Sequence, residues 1–229
     1  MGLLILVRHG ESKWNQANIF TGWVDVPLSE LGVKQALKAG EILKNVKIDI
    51  GFTSFLERAR ATLDIILSKQ KSVGVYVHDS KLEKSLSKHL INKNEIPVFS
   101  SLKINERNYG KLQGMNKDVA RKKWGEEQVQ IWRRSWDVSP PEGESLKDTC
   151  QRAIPYFTKK IMPYVKRSNN VIVSAHGNSL RGIIKYIEKI GDDEIPNLEL
   201  PMSYPMTYNY VGGKFLKMWK NNPPNSWTG

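Results

Sequence analysis

Two short apolar runs, far apart in the chain, each stop at a histidine. Residues 3–7 read Leu-Leu-Ile-Leu-Val and lead directly into Arg8 and His9, whereas residues 171–175 read Val-Ile-Val-Ser-Ala and lead into His176. Continuous apolar runs of this length are typical of strands that are buried on both faces, as in a parallel sheet. Ligands of open α/β sheets bind outside the carboxyl ends of the strands. The two runs therefore predict one site to which both histidines contribute.

Strand-like and helix-like segments alternate through most of the chain. This alternation predicts an α/β fold, a three-layer α/β/α sandwich with a mostly parallel central sheet. Residues 207–211 and 214–219 flank Gly212-Gly213 and read as a hairpin that adds an antiparallel edge strand. No internal repeat or flexible linker divides the 229 residues, so we expect a single domain over residues 1–229.

Local signals predict where several helices begin, bend and end. Ser29 and Ser145 are suited to cap the amino ends of two helices, and Asp148 completes a capping box with Ser145. Pro155 predicts a kink or a division of the helix that Ser145 opens. Gly191 is expected to cap the carboxyl end of the last helix. The predicted apolar faces comprise Val33, Leu37, Gly40 and Leu43 in the first helix, Ala59, Leu63, Ile66 and Leu67 in the second, and Leu180, Ile183, Ile184 and Ile187 in the last.

Composition and charge exclude several classes of protein. With 40% hydrophobic and 25% charged residues, the chain has the balance of a soluble globular protein, and no apolar run approaches the length of a membrane span. The single cysteine, Cys150, permits no intramolecular disulfide and lies among apolar residues, so we expect a buried thiol and a cytoplasmic location. The net charge of +12 comes from scattered lysines without interleaved aromatics, which favours attraction of a small polyanionic substrate over nucleic-acid binding.

Five longer blocks occur in the chain, in the order LVRHGESKWN, FTGWVDVPLSELG, NERNYGKLQG, GEEQVQIWRRS and AHGNSLRG. Together they resemble the cofactor-dependent phosphoglycerate mutases of the histidine phosphatase superfamily, and the likeness runs with gaps from about Leu3 to about Tyr210. It implies a phosphoglycerate mutase-like fold and the interconversion of 3-phosphoglycerate and 2-phosphoglycerate, primed by 2,3-bisphosphoglycerate, without a metal. The expected assembly is a homodimer or a homotetramer.

The candidate catalytic residues form a set suited to phosphoryl transfer. The His9 imidazole can attack phosphorus, and the phosphohistidine so formed can pass its phosphoryl group onward. Arg8 and Arg58 offer the fixed bidentate geometry that matches phosphate oxygens, over which charge spreads during transfer. The resemblance implies that His176 stabilises the transferring phosphoryl group and that Glu106, in the NERNYG block, is the general acid/base.

A phosphoglycerate carries a carboxylate besides its phosphate, so a mutase needs anion contacts beyond the transferring group. Tyr109, Lys117, Arg133 and Arg134 match that outer set in the family, and a plain phosphatase of the superfamily typically lacks the paired arginines. Asn108 stands where the family commonly has a histidine. The other substrate-binding residues that the resemblance implies are Ser12, Asn15, Thr21, Gly22, Gly177 and Asn178.

Three segments depart from the family. Residues 69–101 are longer and richer in lysine than the usual connection, and they include His78 and His89, which we expect to face solvent. Residues 137–144 are shorter than the usual proline-rich loop beside the active site, and the tail 221–229 differs as well. A missing lid would admit water, so a phosphatase on the same fold is the first alternative function. A binding or scaffolding protein that has lost catalysis is the second.

Overall fold

A computed structural model of the protein describes residues 1–77 and 92–220, so the expectations for His78, His89 and the tail 221–229 lie outside the described residues. The strands are β1 (Gly2–Arg8), β2 (Ile50–Thr53), β3 (Val73–Val77), β4 (Glu95–Ser100), β5 (Asn170–Ala175), β6 (Met206–Val211) and β7 (Lys214–Lys217). The helices described are α1 (Lys13–Gln16), α2 (Glu30–Leu43), α3 (Glu57–Leu67), α4 (Lys117–Trp124), α5 (Glu126–Arg134), α6 (Leu146–Tyr156), α7 (Met162–Lys166) and α8 (Gly177–Glu188). A π-helical turn covers Phe157–Ile161, and short 3-10 turns cover Leu102–Ile104, Gly110–Leu112 and Ile195–Asn197.

A mixed sheet of seven strands organises the described part of the chain, in the order β3-β4-β2-β5-β1-β6-β7. The pairs from β3 across to β1 are all parallel, and β6 pairs antiparallel with both β1 and β7. The hairpin between β6 and β7 turns through Gly212 and Gly213, whose φ angles of 58° and 83° lie in the left-handed region that glycine adopts readily. The predicted mostly parallel sheet with an antiparallel edge is therefore confirmed.

The central strand β1 separates two hydrophobic clusters because successive side chains of a strand point to opposite faces. Leu4 and Leu6 pack into a cluster with α7 and α8, whereas Ile5 and Val7 pack into a cluster with α2 and α3. All four side chains are fully buried, which explains why this run is continuously apolar rather than alternating. The Cys150 thiol is buried as predicted. Helices cover both faces of the sheet, and the three-layer α/β/α architecture is confirmed.

The predicted apolar face of α2 is partly wrong. Val33 and Leu37 are each 38% exposed, whereas Gly40 and Leu43 of the predicted face are buried and the small residue Ala36, which was not predicted, is buried as well. Small side chains allow α2 to approach α3 closely, since a Cβ added at Gly40 would lie 3.4 Å from the backbone of Ile66. The predicted faces of the other two helices are confirmed: Ala59, Leu63, Ile66, Leu67, Leu180, Ile183 and Ile184 are buried, and Ile187 packs against the core.

The predicted helix starts and the predicted interruption are confirmed. Ser29 caps α2, and the Ser145 hydroxyl accepts from the Asp148 amide in a capping box at the start of α6. The helix that contains Pro155 passes at Phe157 into the π-helical turn, and α7 begins only after that turn. A proline removes a helix donor and clashes with the preceding turn, so an interruption at this point is expected.

The carboxyl end of α8 differs from the prediction. Lys189 caps the helix with a φ of 56°, and its N–H donates to the Lys185 carbonyl. The predicted cap, Gly191, lies two residues further on, and its amide donates to Glu194 Oε2 at 3.4 Å. The Lys185 ammonium donates to the Ile190 carbonyl at 2.6 Å, so this carbonyl just beyond the helix has a hydrogen-bond partner without a glycine cap. Over residues 1–77 and 92–220, no helix has the length and apolar character that a membrane span needs.

Replacing Ser145 with alanine should lower the free energy of unfolding by about 1 kcal/mol, because the helix then loses the acceptor of one amino-terminal N–H. Chemical denaturation followed by circular dichroism measures the change. Ser68→Ala, at the exposed carboxyl end of α3, is the matched control and should stay within about 0.5 kcal/mol of the wild type. Equal effects of the two substitutions would contradict the capping role.

Candidate active site

The two histidines meet because β1 and β5 are neighbours in register. The pairing aligns Arg8 with Ala175, so the residues that follow, His9 and His176, leave the sheet side by side. The His9 amide donates to the Ala175 carbonyl at 2.9 Å and continues the ladder one residue beyond the strand. The centroids of the two imidazole rings lie 5.0 Å apart. The structure thus brings both histidines together at the carboxyl edge of the sheet, where ligands of such sheets bind.

The hydrogen bonds of His9 decide which of its nitrogens can react. Its Nδ1 lies 2.6 Å from the carbonyl oxygen of Gly10, and because a carbonyl only accepts, Nδ1 carries the proton. The lone pair then belongs to Nε2. His9 is 3% exposed and lines a pocket at this edge of the sheet, so Nε2 is the nitrogen available to a ligand.

His176 is fixed by two neighbouring elements. Its Nε2 lies 2.7 Å from the hydroxyl of Ser54, the first residue after β2. Its backbone begins α8, whose amino end reaches the pocket through Gly177 and Asn178. The ring is fully buried beside His9, and Nδ1 has no partner among the described residues. Because buried polar groups are normally paired, we expect a ligand bound at His9 to supply that partner.

Arg8 and Arg58 surround this end of the pocket with fixed positive charge. Arg58, in the first turn of α3, is 1% exposed and donates to the carbonyls of Gly22 at 2.7 Å and Val24 at 3.1 Å. Arg8 donates to the Leu200 carbonyl at 2.8 Å. Carbonyl groups are dipoles rather than anions, so these contacts orient the guanidinium groups without neutralising them. Both charges therefore remain available to a phosphate.

Burial and these charges together keep both imidazoles neutral. Burial, followed by the charges of Arg58 and Arg8, holds the pKa of His9 well below the ordinary value of a histidine. Burial and Arg58 likewise hold the pKa of His176 well below that value. Burial lowers the pKa of Arg58 itself to about 10, which leaves it charged at neutral pH. A neutral His9 is a nucleophile at physiological pH without a base to deprotonate it.

Glu106 brings a carboxylate to the two imidazoles, since ligand atoms of the three side chains lie within 4.8 Å of one another. It follows the short turn after β4, and its Oε1 accepts from the amides of Arg107 at 2.8 Å and Asn178 at 3.1 Å. Burial raises the pKa of Glu106, but these hydrogen bonds and the charges of Arg58 and Arg8 outweigh burial and leave it below its ordinary value. Glu106 is therefore ionised and can accept a proton from a neighbouring hydroxyl.

The pocket has a volume of about 190 Å³ and extends from His9 to an outer end lined by further cations. Burial and the charge of Arg133 lower the pKa of Lys117. The Tyr109 hydroxyl accepts from Arg107 Nη2 at 3.0 Å, which orients it at the same end. This arrangement can hold a small molecule with two negatively charged ends. The predicted site residues on its lining are Arg8, His9, Asn15, Thr21, Gly22, Arg58, Glu106, Tyr109, Lys117, Arg133, Arg134, Gly177 and Asn178.

Comparison with known proteins identifies the family. The family model described as histidine phosphatase superfamily (branch 1) matches residues 4–89 and 85–222. The 2,3-bisphosphoglycerate-dependent phosphoglycerate mutase of Chlamydia muridarum is 46% identical over 220 residues, which cover 95% of this chain and 97% of that protein. The chain belongs to this mutase family. A mutase of the same name from Chlamydia abortus is 48% identical over 219 residues, covering 94% and 96% of the two chains.

The fold of this mutase-family member has solved counterparts. The structure of Bacillus stearothermophilus YhfR aligns with a TM-score of 0.77 over 98% of each chain, at 22% sequence identity. A likeness at that level of identity concerns the fold alone. Together with the family match, it confirms the resemblance and the architecture that the five sequence blocks implied.

Three predicted features of this family member lie away from the pocket lining. One is His176, which is fully buried beside His9. Ser12 is fully buried, and its hydroxyl accepts from the Asn15 amide at 3.1 Å as the cap of α1, so its contact with substrate stays a prediction. Residues 137–144 do not cover the pocket. At their end, the Glu144 amide donates to the Asn108 carbonyl at 2.8 Å, and the Glu144 carboxylate accepts from the Asn108 amide at 2.8 Å. The shortened loop therefore supports the segment that holds the candidate acid/base.

The sequence pattern does not single out four further residues at the site: Ser54, Arg107, Arg181 and Glu199. Arg181 lines the pocket, and burial lowers its pKa to about 10. Its place in the AHGNSLRG block, one helical turn after Gly177, was an available signal. Arg107 stands inside the NERNYG block and Ser54 shortly before Arg58. Glu199 lies in a loop outside every block, and no sequence signal marks it.

His9, Glu106 and His176 have the mutual distances that a metal ion would need. Arg8 and Arg58, however, hold two positive charges at the same end of the pocket, and among the described residues their hydrogen-bond partners are backbone carbonyls. Repulsion between like charges opposes a cation there, and attraction favours an anion. The electrostatics of the site thus fit the phosphoryl group better than a metal, and the absence of a metal requirement stays a prediction.

The His9 ring should remain neutral as the pH falls from about 8 to about 6, because its lowered pKa confines protonation to more acidic solutions. Nitrogen NMR shifts of 15N-histidine-labelled protein report the ring's charge. Arg58→Gln should raise the titration midpoint of His9, since it removes a charge that disfavours the imidazolium. Arg60→Gln, elsewhere on α3 and outside the pocket lining, should not raise it. A wild-type midpoint near the ordinary histidine value would contradict this electrostatic picture.

Proposed function

We propose that this protein interconverts 3-phosphoglycerate and 2-phosphoglycerate through a phosphohistidine on His9, with 2,3-bisphosphoglycerate as the priming phosphoryl donor. The decisive support is the pair of neutral imidazoles, 5.0 Å apart, at one end of a strongly cationic pocket. Relatives of nearly equal length that are named as these mutases support the same activity. The six cations on the pocket lining are Arg8, Arg58, Lys117, Arg133, Arg134 and Arg181.

The phosphoryl group moves between His9 and two hydroxyl oxygens of glycerate. When phosphorylated His9 meets a monophosphoglycerate, the free hydroxyl oxygen attacks phosphorus and its proton passes to Glu106. The bond between phosphorus and Nε2 breaks, and its electron pair returns to Nε2. After the bisphosphate turns in the pocket, Nε2 attacks the other phosphorus, and the released oxygen takes the proton back from Glu106. Each cycle therefore regenerates the phosphohistidine.

Charge at the two ends of the pocket supports this assignment. Arg8, Arg58 and His176 are suited to stabilise the equatorial oxygens of the transferring group, on which negative charge is spread. Tyr109 and Lys117, with the paired arginines at the outer end, are suited to hold the carboxylate and the resting phosphate. A ligand with anions at both ends can turn between these ends without leaving the pocket.

The charge of the ligand also adjusts Glu106. Hydrogen bonds and the nearby arginines hold the pKa of Glu106 below its ordinary value. A bound polyanion offsets the arginine charges, so the pKa of Glu106 rises when substrate binds. The carboxylate then becomes a better proton acceptor at the moment when the reaction needs one.

A phosphatase is the second candidate, and one observation favours it. Residues 137–144 do not line the pocket, so this loop does not shield phosphorylated His9 from water. Water in place of the substrate hydroxyl would attack phosphorus and release inorganic phosphate. The ratio of transfer to hydrolysis decides between the two functions.

Assembly and location rest on the family likeness and on composition. We expect single-domain chains that assemble as a homodimer or homotetramer in the cytoplasm and act on small-molecule phosphoglycerates. Light scattering during size-exclusion chromatography measures the mass of the assembly.

With 3-phosphoglycerate and a trace of 2,3-bisphosphoglycerate, the wild-type protein should form 2-phosphoglycerate faster than it releases phosphate. An enolase-coupled absorbance assay and a colorimetric phosphate assay measure the two rates in parallel. His9→Ala should abolish both rates, because both need the phosphohistidine, while circular dichroism shows an intact fold. Phosphate release that exceeds mutase turnover would favour the phosphatase, and mutase activity in His9→Ala would exclude the covalent route.

Glu106→Gln should lower kcat by about 10²- to 10⁴-fold with little change in KM, because the amide cannot accept the hydroxyl proton. Steady-state kinetics with saturating bisphosphoglycerate measure the two constants separately. Glu126→Gln, which removes an exposed carboxylate of α5 that is paired with Arg121 of α4, is the matched control and should retain wild-type kcat. A defect confined to KM would assign Glu106 to substrate binding instead of proton transfer.

A further inference from the structure

Glu199 places a carboxylate at the cationic outer end of the pocket. It lies in the loop between the turn Ile195–Asn197 and β6, and it lines the pocket with its side chain 67% exposed. Its Oε1 accepts from Arg134 Nη2 at 2.5 Å, and its Oε2 lies 3.9 Å from Arg181 Nη2. One carboxylate therefore spans two of the guanidinium groups that face the pocket.

Both arginines are anchored independently of the Glu199 side chain. Arg134 Nη1 donates to the Pro196 carbonyl at 3.1 Å, and Arg181 Nε donates to the Leu198 carbonyl at 2.8 Å. Arg8, at the end of β1 beside His9, is bound in the same way by the Leu200 carbonyl. A change confined to the Glu199 carboxylate therefore leaves the arginines in position.

The two carboxylates of the pocket have different partners. Glu106 is bound by the Asn178 side-chain amide at 2.9 Å as well as by backbone amides, and it belongs to the end near the histidines. The partners of Glu199 are the outer arginines, Arg134 and Arg181. Their charges outweigh burial and lower the pKa of Glu199, so it is negative at neutral pH. An anionic ligand group that approaches Arg134 is thus repelled by the Glu199 carboxylate, which is already bound to this arginine.

We propose that Glu199 is a built-in competitor for the outer arginines, which occupies the position of the ligand's second anionic group and swings into solvent when the ligand binds. The proposal rests on the proposed function in so far as the ligand is a phosphoglycerate. Because Glu199 is largely exposed, water can solvate the displaced carboxylate. The competition weakens binding most for the ligand with the most negative charge. Glu199 therefore reduces the preference of the pocket for bisphosphoglycerate over monophosphoglycerate.

Calorimetric titration of the wild type, Glu199→Gln and Glu41→Gln with 2,3-bisphosphoglycerate and with 3-phosphoglycerate tests the proposal. Glu199→Gln should bind bisphosphoglycerate about two- to fivefold more tightly, as expected for the loss of one exposed ion pair, with a smaller gain for 3-phosphoglycerate. Glu41 likewise bridges two cations, Lys44 at 3.2 Å and Lys69 at 2.9 Å, but it does not line the pocket. Its substitution removes the same charge and should change neither affinity.

A double-mutant cycle separates local competition from a general effect of charge. In an Arg134→Gln background the gain in bisphosphoglycerate affinity from Glu199→Gln should largely disappear, because the guanidinium group for which Glu199 and the ligand compete is absent. An undiminished gain there, an equal gain in Glu41→Gln, or, where bisphosphoglycerate binds the wild type, binding to Glu199→Gln that is no tighter would each overturn the proposal.

Inorganic sulfate provides a probe that needs no assumption about the substrate. Glu199→Gln should bind sulfate more tightly than the wild type, and the difference should shrink at about 0.5 M sodium chloride, where screening is strong. If neither phosphoglycerate binds the wild type while sulfate shows this difference, the proposed function fails and the role of Glu199 stands. If the phosphoglycerates bind and neither they nor sulfate bind Glu199→Gln more tightly, the role of Glu199 fails alone.

Discussion

The parallel pairing of β1 with β5 is the contact on which the site depends. Both strands are buried on both faces, and their side chains fill the clusters on either side of the sheet. A slip of one residue would turn every side chain of a strand to the opposite face, so packing fixes the register strongly. That register aligns Arg8 with Ala175 and sends His9 and His176 out of the sheet together. Hydrophobic packing in the middle of the molecule thus sets the distance between the two histidines at its edge.

An excess of buried positive charge is the second constraint. Arg58 is almost fully buried, yet its partners are backbone carbonyls rather than a carboxylate. Burial of positive charge in excess of the nearby carboxylates is unfavourable for the free protein, and a bound polyanion relieves it. Burial and the same field lower the pKa values of the histidines, and hydrogen bonds and the same field lower that of Glu106, so the proposed nucleophile and acid/base reach suitable protonation states. Charge arranged before the reaction in this way is the main source of catalysis in phosphoryl transfer.

The sequence predicted most of what depends on strong local patterns. The apolar runs before His9 and His176 predicted both central strands. Because ligands of such sheets bind at the carboxyl ends of the strands, the sequence also predicted that the two histidines share one site. The face of α2 was partly mispredicted because the helix buries small residues such as Ala36, which carry little hydrophobic signal. Glu199 could not be predicted, because its position depends on a loop whose carbonyls bind arginines from three distant elements. Contacts of that kind arise only when the whole chain has folded.

The proposed chemistry is tested most sharply by locating the nitrogen that carries phosphorus after the protein is mixed with 2,3-bisphosphoglycerate. Coupling between 31P and 15N in histidine-labelled protein identifies both the residue and the ring position. The Nδ1 proton of His9 is engaged by the Gly10 carbonyl at 2.6 Å, so phosphorus should be found on Nε2 of His9. Phosphorus on Nδ1, on His176 or on no histidine would contradict the site as it is described.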